Sequence, residues 1–270
     1  MDELMEQRGS PLGTPESAEA TGRAVRGMFA AVAPRYDFLN HALSLGCDLA
    51  WRRATARALR DVLARRESVV ADVCCGTGDL AFALARFSRG AVLGADFCHP
   101  MLQRARAKLD RAGRQSSAPV RPGALSFIEA DTLRLPFASG SLDAVSTGFG
   151  FRNLADYERG LEEMRRVLKP GGAIAILEFS RVSWPVLGPL FRFYFRKLLP
   201  RIGKLVSGVA GPYQYLPDSV ARFPDQEALA ALMREAGFER VRYRNFFAGA
   251  AALHLGEKAE SGRRYVVDGR

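Results

Sequence analysis

The sequence predicts an α/β fold built on one largely parallel sheet, and three observations predict it. Short apolar runs alternate with helical patterns of about 10–15 residues, the mark of βαβ units. A glycine-rich turn, Gly76-Thr77-Gly78, joins the first apolar run to an apolar helix. A carboxylate, Asp96, closes the second run about 20 residues beyond those glycines. Right-handed crossovers between such strands place a ligand site at their carboxyl ends.

In chain order, Arg23–Asn40 reads as a helix running into a turn and Asp48–Arg66 as an amphipathic helix. Val69–Cys74 is the first strand and Leu80–Phe87 the helix after the glycine turn. Ala91–Ala95 is the second strand, followed by a helix from Pro100 to about Ala112 and a Ser/Gly/Pro-rich loop to Gly123. Leu125–Ala130 and Leu142–Thr147 are strands three and four. A helix over Ala155–Leu168 stops at Lys169-Pro170-Gly171-Gly172, before the β-rich run Ala173–Phe179. Trp184–Tyr215 interrupts the alternation. Asp225–Ala236 is then a helix, and Arg240–Phe246 with Ala250–Gly256 a terminal pair of strands around Gly249.

The chain has 270 residues, 48% of them hydrophobic and 25% charged, which suits one sizeable α/β core plus an insertion. No apolar run approaches the roughly 20 residues of a membrane span. Met1–Glu19 is acidic, rich in Ser, Pro and Gly, and lacks an apolar core, so residues 1–22 are expected to be a disordered tail and not a signal peptide. The domain is expected over 23–258, with a helical insertion at 184–215 and a tail at 259–270, in the cytoplasm. The net charge of +10, from 39 basic against 29 acidic residues, favours anionic partners or reflects solvated helix faces. Cys47, Cys74, Cys75 and Cys98 form no CxxC pair and no His cluster adjoins them, so no metal site is expected. Cys74 and Cys75 should face opposite sides of a strand end as small, semi-buried residues, a lone catalytic thiol being the alternative.

The run from Asp72 to Asp79 carries the strongest local chemistry. Gly76 and Gly78 let the backbone turn tightly and approach a ligand closely. Asp96 can accept hydrogen bonds from vicinal ribose hydroxyls. The loop is GxGD and not GxGxxG, so the third glycine of a dinucleotide fingerprint is missing, and Asp79 follows the second glycine directly. A carboxylate there repels a pyrophosphate and suits a cationic amino-acid cofactor, S-adenosyl-L-methionine, over a nicotinamide dinucleotide. Asp131, with Thr132, closes the third strand at the same edge, where it can accept the exocyclic amine of adenine or simply initiate a turn.

With those residues placed, the chain closely resembles the ubiquinone/menaquinone biosynthesis C-methyltransferases, the UbiE/MenG family, from about Met28 to Lys258. The resemblance rests on Arg35-Tyr36-Asp37-Phe38-Leu39-Asn40, the Gly76–Asp79 loop, Phe149-Gly150-Phe151-Arg152-Asn153, Leu168–Gly172, Tyr213-Gln214-Tyr215-Leu216 and Phe223-Pro224-Asp225-Gln226. It implies a seven-stranded class I methyltransferase sheet, Rossmann-like, and methyl transfer to a ring carbon of a polyprenylated quinol. It also implies that Thr77, Asp96, Asp131 and Thr132 hold the cofactor, which the loop residues Asp72, Gly76 and Gly78 are expected to bind as well. Some members carry a cofactor-contacting serine where Gly148 stands. The Cys-Cys-Gly opening of the loop looks more like the menaquinone-pathway members, which favours demethylmenaquinol over the benzoquinol precursor of ubiquinone.

Methylating a ring carbon needs electron density there, which a quinol supplies when its neighbouring hydroxyl loses its proton. Arg152, in a Gly-rich segment at the ligand edge, can stabilise a developing phenolate or anchor that loop. Tyr36 and Asp37 can shape the site or relay a proton, or serve helix-end packing and capping. His41, His99 and His254 fall in turns or in the last strand and are weaker candidates. In Trp184–Lys204, apolar residues from Leu187 to Leu198 form a helical stripe beside Arg192, Arg196 and Lys197, fit for an anionic membrane surface, a lid or a homodimer contact. Two other readings stand beside this one: a methyltransferase of RNA or another small molecule, and a non-catalytic cofactor-binding scaffold of a quinone-synthesis complex. No appended RNA-binding module is present, so no nucleic-acid partner is expected.

Overall fold

The structure, a computed structural model, describes residues 9–10, 18–33, 36–37, 41, 44, 46–114, 120–121, 123–180, 182 and 211–260. The Trp184–Lys204 stripe lies outside them. Seven strands form one sheet: β1 Val69–Val73, β2 Ala91–Asp96, β3 Leu125–Glu129, β4 Leu142–Gly148, β5 Leu168–Phe179, β6 Phe238–Phe246 and β7 Ala251–Lys258. Their order is β3-β2-β1-β4-β5-β7-β6. The first five are mutually parallel and β7 runs antiparallel to both its neighbours. The strand order reverses between β1 and β4, and this switch point opens a crevice at the carboxyl ends of the strands.

Alternate residues along each strand face opposite sides of the sheet, so each apolar strand feeds two cores. Val70, Val92, Ala144 and Leu177 join one cluster with Leu63, Leu84 and Leu102. These last three lie on or beside α2 Cys47–Ala58, α3 Arg60–Leu63, α4 Asp79–Ala85 and α5 His99–Gly113. Ala71, Val73, Ala95, Val145 and Ile176 join the other with Leu161, Met164, Leu229 and Met233. Those come from α6 Tyr157–Val167 and α8 Gln226–Glu235. Asp156 and Asp225 accept from the Arg159 and Ala228 backbone N–H groups at 3.0 Å, satisfying orphan donors at the starts of α6 and α8.

Several expected boundaries move. α1 spans Ala18–Val32, five residues earlier than Arg23, and Ser10 is buried with its N–H bonded to the Leu154 carbonyl at 2.7 Å. Those residues of the expected tail are part of the fold. The Asp48–Arg66 helix breaks at Leu59, whose φ of −95° and ψ of 9° separate α2 from α3. Lys169–Gly172 does not end before the strand but forms an irregularity inside β5: Leu168 pairs with Leu142, and pairing resumes at Ala173 with Ala144. Gly171, at φ +72°, supplies the left-handed residue this needs. A further helix, α7 Gly211–Arg222, has Pro217 inside it and overlaps the end of the expected insertion.

Candidate active site

A cleft open to solvent lies at the carboxyl ends of β1 to β4. Each strand ends at its wall: β1 with Cys74 and Gly76, β2 with Asp96, β3 before Asp131 and Thr132, β4 before Phe149 and Gly150. The positive φ of Gly76 (+56°) turns its N–H onto Asp96 Oδ2 at 2.7 Å, while Asp96 Oδ1 accepts from the Cys98 N–H at 2.8 Å. The carboxylate is therefore held rigidly at the rim with lone pairs to spare for vicinal hydroxyls. Burial pushes its pKa up to about 6 even though those backbone N–H groups favour the charged form.

Gly78 is demanded twice over. Its φ is +88°, and a Cβ there would stand 2.8 Å from the Phe127 ring. Gly150 answers to close approach alone, since a Cβ would lie 2.4 Å from the Cys74 Cβ. Asp131 is exposed and does both things the sequence allowed: it lines the cleft, and its Oδ1 accepts the Leu133 N–H at 2.9 Å as a turn initiator. Thr132 is buried, its hydroxyl 3.2 Å from Cys74 Sγ. Asp72 is fully buried in β1, takes the Ser146 hydroxyl at 2.9 Å, and leaves Oδ2 without a partner among the described residues. Burial raises its pKa to about 7. A Cβ on Gly148 would meet Leu80 at 3.0 Å, so a serine there would require Leu80 to move.

Of the three candidates for chemistry, the structure brings only Tyr36 to the cleft. Its ring stands edge-on to Phe29 of α1, centroids 5.9 Å apart. Asp37 turns the other way, accepting from the Thr77 hydroxyl and pairing with Lys108 Nζ at 2.6 Å. Arg152 sits behind the wall, its Nη1 2.7 Å from Glu178 Oε1 and bonded to the Phe149 carbonyl, both side chains almost wholly buried. Burial acts most strongly on the guanidinium and opposes its charge, but Glu178 together with Tyr36 and Tyr215 leaves its pKa above the ordinary value. Asp79 is not in the cleft either. Lys108 neutralises it at 2.8 Å, and His41 Nε2 lies 3.6 Å away. The charge argument for a cationic cofactor therefore moves to other residues: among the described residues the cleft is lined by Asp96 and Asp131 and by no Lys or Arg, in a chain of net charge +10. Such a wall fits a sulfonium and an ammonium and disfavours a pyrophosphate.

The chain matches the ubiE/COQ5 methyltransferase family over residues 16–258. It belongs to that family. A demethylmenaquinone methyltransferase of Deinococcus radiodurans is 48% identical over 238 residues, 88% of this chain and 93% of the relative. One of Thermus thermophilus is 47% identical over 232 residues, 86% of this chain and 100% of the relative. Among solved structures, a SAM-dependent methyltransferase of Thermotoga maritima superposes with a TM-score of 0.57 at 19% identity, covering 86% of this chain and 99% of its own. The [4+2]-cyclase SpnF superposes at 0.63 with 16% identity, covering 94% and 99%. The seven-stranded class I fold is thus shared by a methyltransferase and a cyclase, and the chemistry of this family member must be argued from its site.

Two site residues escaped the sequence reading. Asn153 lines the cleft and accepts from the Tyr215 hydroxyl at 2.8 Å. Tyr215 is buried and lies 2.9 Å from the Ser10 hydroxyl, joining the far N-terminus to α7 and the cleft wall. Both stand in motifs that carry the resemblance, Phe149–Asn153 and Tyr213–Leu216, but no local pattern predicts a partner 62 positions away. The histidines stay out of the cleft: His254 bonds the Gln226 carbonyl through Nε2 at 2.8 Å, His99 pairs with exposed Glu129 at 2.7 Å, and His41 Nδ1 meets Asp48 at 2.8 Å. Cys74 and Cys75 pack against opposite cores, as expected of a strand end, and burial raises both thiols far above their ordinary range. Thiols so protonated are poor nucleophiles.

Proposed function

We propose that this chain is an S-adenosyl-L-methionine-dependent C-methyltransferase that converts demethylmenaquinol to menaquinol. The cleft at the switch point, lined by acids and by no Lys or Arg among the described residues, carries the cofactor reading, and the two relatives named for demethylmenaquinone carry the substrate. Asp96 would hold the ribose hydroxyls, Gly76, Thr77 and Gly78 shape the approach, and Asp131 with Thr132 take the adenine edge. Asp72, bonded to the Ser146 hydroxyl, would brace the loop from behind.

When bound, the cofactor supplies a methyl group already activated by its sulfonium. Its methyl group would pass to the quinol ring carbon, which would lose its hydrogen as a proton so that the aromatic quinol is restored. The chain's own part is positioning and exclusion of water. Tyr36 lines the cleft, where its side chain can contact the quinol. Asp37 holds Tyr36's segment to the loop through Thr77. Arg152 acts through position: pinned to Glu178 and the Phe149 carbonyl, it fixes the wall from which Asn153 faces the substrate. The isoprenoid tail implies transient contact with the inner face of the membrane; no helix among the described residues is long and apolar enough to cross one.

The test incubates purified protein with labelled S-adenosylmethionine and, separately, demethylmenaquinol, the benzoquinol precursor 2-methoxy-6-polyprenyl-1,4-benzoquinol, and RNA. Label is expected in demethylmenaquinol. Label in RNA with both quinols inert would sink the reading, and cofactor binding without transfer to anything would establish the scaffold instead.

A further inference from the structure

We propose that a row of aromatic side chains, Phe149, Trp51 and Phe246, ending at Phe247, is the subsite for the isoprenoid tail of the quinol; this rests on the substrate reading above. Three elements remote in sequence converge to build it. Phe149 follows β4 and lines the cleft. Its ring lies 6.1 Å from that of Trp51, on α2, and 4.6 Å from Phe179 at the end of β5. Trp51 in turn stacks on Phe246, at the end of β6, with centroids 6.1 Å apart and planes inclined by 25°. Strand register explains the convergence: Phe179 and Phe246 both pair with Ala251 of β7, which sets them abreast at the ligand rim of the sheet.

The row also runs outward. Phe149 is buried, Trp51 and Phe246 are half-buried, and Phe247 is 69% exposed, the most exposed large apolar side chain among the described residues. The turn that displays Phe247 is strained: Phe247 and Ala248 have φ of +44° and +55°, where tight turns between strands usually carry glycine or asparagine. A bulky ring held outward by a costly backbone, next in sequence to the half-buried Phe246 whose stack with Trp51 reaches the cleft wall at Phe149, fits a ligand that is apolar, long and anchored at the cleft end. A branched polyene meets that description. Its quinol head would lie at Phe149, and its units would pass over Trp51 and Phe246 and leave the protein at Phe247.

The experiment compares wild type with Phe247→Ser and Phe246→Ala on two substrates, a geranylgeranyl-tailed demethylnaphthoquinol in detergent and tail-less 1,4-naphthalenediol. The expected result is a five- to tenfold rise in KM for the tailed quinol, with kcat/KM for the tail-less one and the melting temperature of Phe247→Ser within error of wild type. Direct binding of geranylgeraniol, read by the Trp51 fluorescence change that Trp51→Phe removes, should weaken in the same variants. An active wild type whose variants lose both substrates equally, or neither, overturns the subsite alone. A wild type inert toward both quinols overturns the substrate reading and the subsite together.

Discussion

Asp96 serves two masters at the rim of the sheet. It accepts backbone N–H groups from Gly76 and Cys98, which favour its charge, and it is buried, which opposes that charge and leaves its pKa at about 6. Only the ionised form offers all its lone pairs to ribose hydroxyls. Cofactor affinity is therefore expected to rise with pH through about 6 and level off above 7, being about tenfold weaker at pH 5 than on the plateau. Calorimetry across pH 5–8 checks this, and Asp96→Asn should bind weakly at every pH; a flat profile in the wild type would remove Asp96 from the ribose contact. At Arg152 the expectation is thermodynamic. Arg152→Met leaves Glu178, 1% exposed, as a buried charge without its partner, and is expected to cost about 3–5 kcal/mol in urea denaturation. Arg152→Met with Glu178→Met should regain much of it. Lost turnover at unchanged stability would instead make the guanidinium a participant in the reaction. Asp96 was legible from spacing alone, because a carboxylate closing the second strand has few places to go. The orientation of Arg152 was not, because nothing near it in sequence announces Glu178, 26 positions on.

At the scale of elements, strands and their helices were largely legible, since each alternates between two cores and carries its own stop signals. What escaped has a common physical cause: continuity set by the neighbouring strand. Lys169–Gly172 has the composition of a turn, yet pairing of Leu168 with Leu142 keeps it within β5. α7 escaped because Pro217 argues against a helix interior. Tyr36 and Asp37 point to a segment that shapes the site, but the clasp that holds it lies on α5. Lys108 bridges Asp37 at 2.6 Å and Asp79 at 2.8 Å, fastening the segment to the first residue of α4. Lys108→Met would leave two carboxylates facing each other across that junction. Cofactor affinity is expected to fall roughly fivefold, about 1 kcal/mol for a partly exposed charged pair, with kcat changed less and Lys108→Arg restoring most of the loss. Equal affinities for wild type and Lys108→Met by calorimetry would reduce the clasp to a surface ornament.

For the whole molecule the question is where ten net positive charges act, given that the described cleft wall carries none of them. Exposed basic residues stand on outer faces, including Arg240, Arg242 and Arg244 along the edge strand β6. These lead toward the β6–β7 turn where Phe247 stands exposed. A quinol with an isoprenoid tail resides in a bilayer, and a basic exterior around the proposed apolar exit is expected to concentrate the protein at anionic headgroups. With demethylmenaquinol presented in vesicles, the apparent KM is expected to be several-fold lower on vesicles containing phosphatidylglycerol than on phosphatidylcholine alone. The advantage should fade between about 0.1 and 1 M salt, as the screening length falls from roughly 10 to 3 Å. Tail-less 1,4-naphthalenediol in free solution should show no such salt dependence, which separates attraction to the surface from any effect of salt on the site. Flotation with the two vesicle types reads the attraction without turnover. Identical KM values on both surfaces, together with no flotation, would mean that the protein meets its substrate without help from its charge.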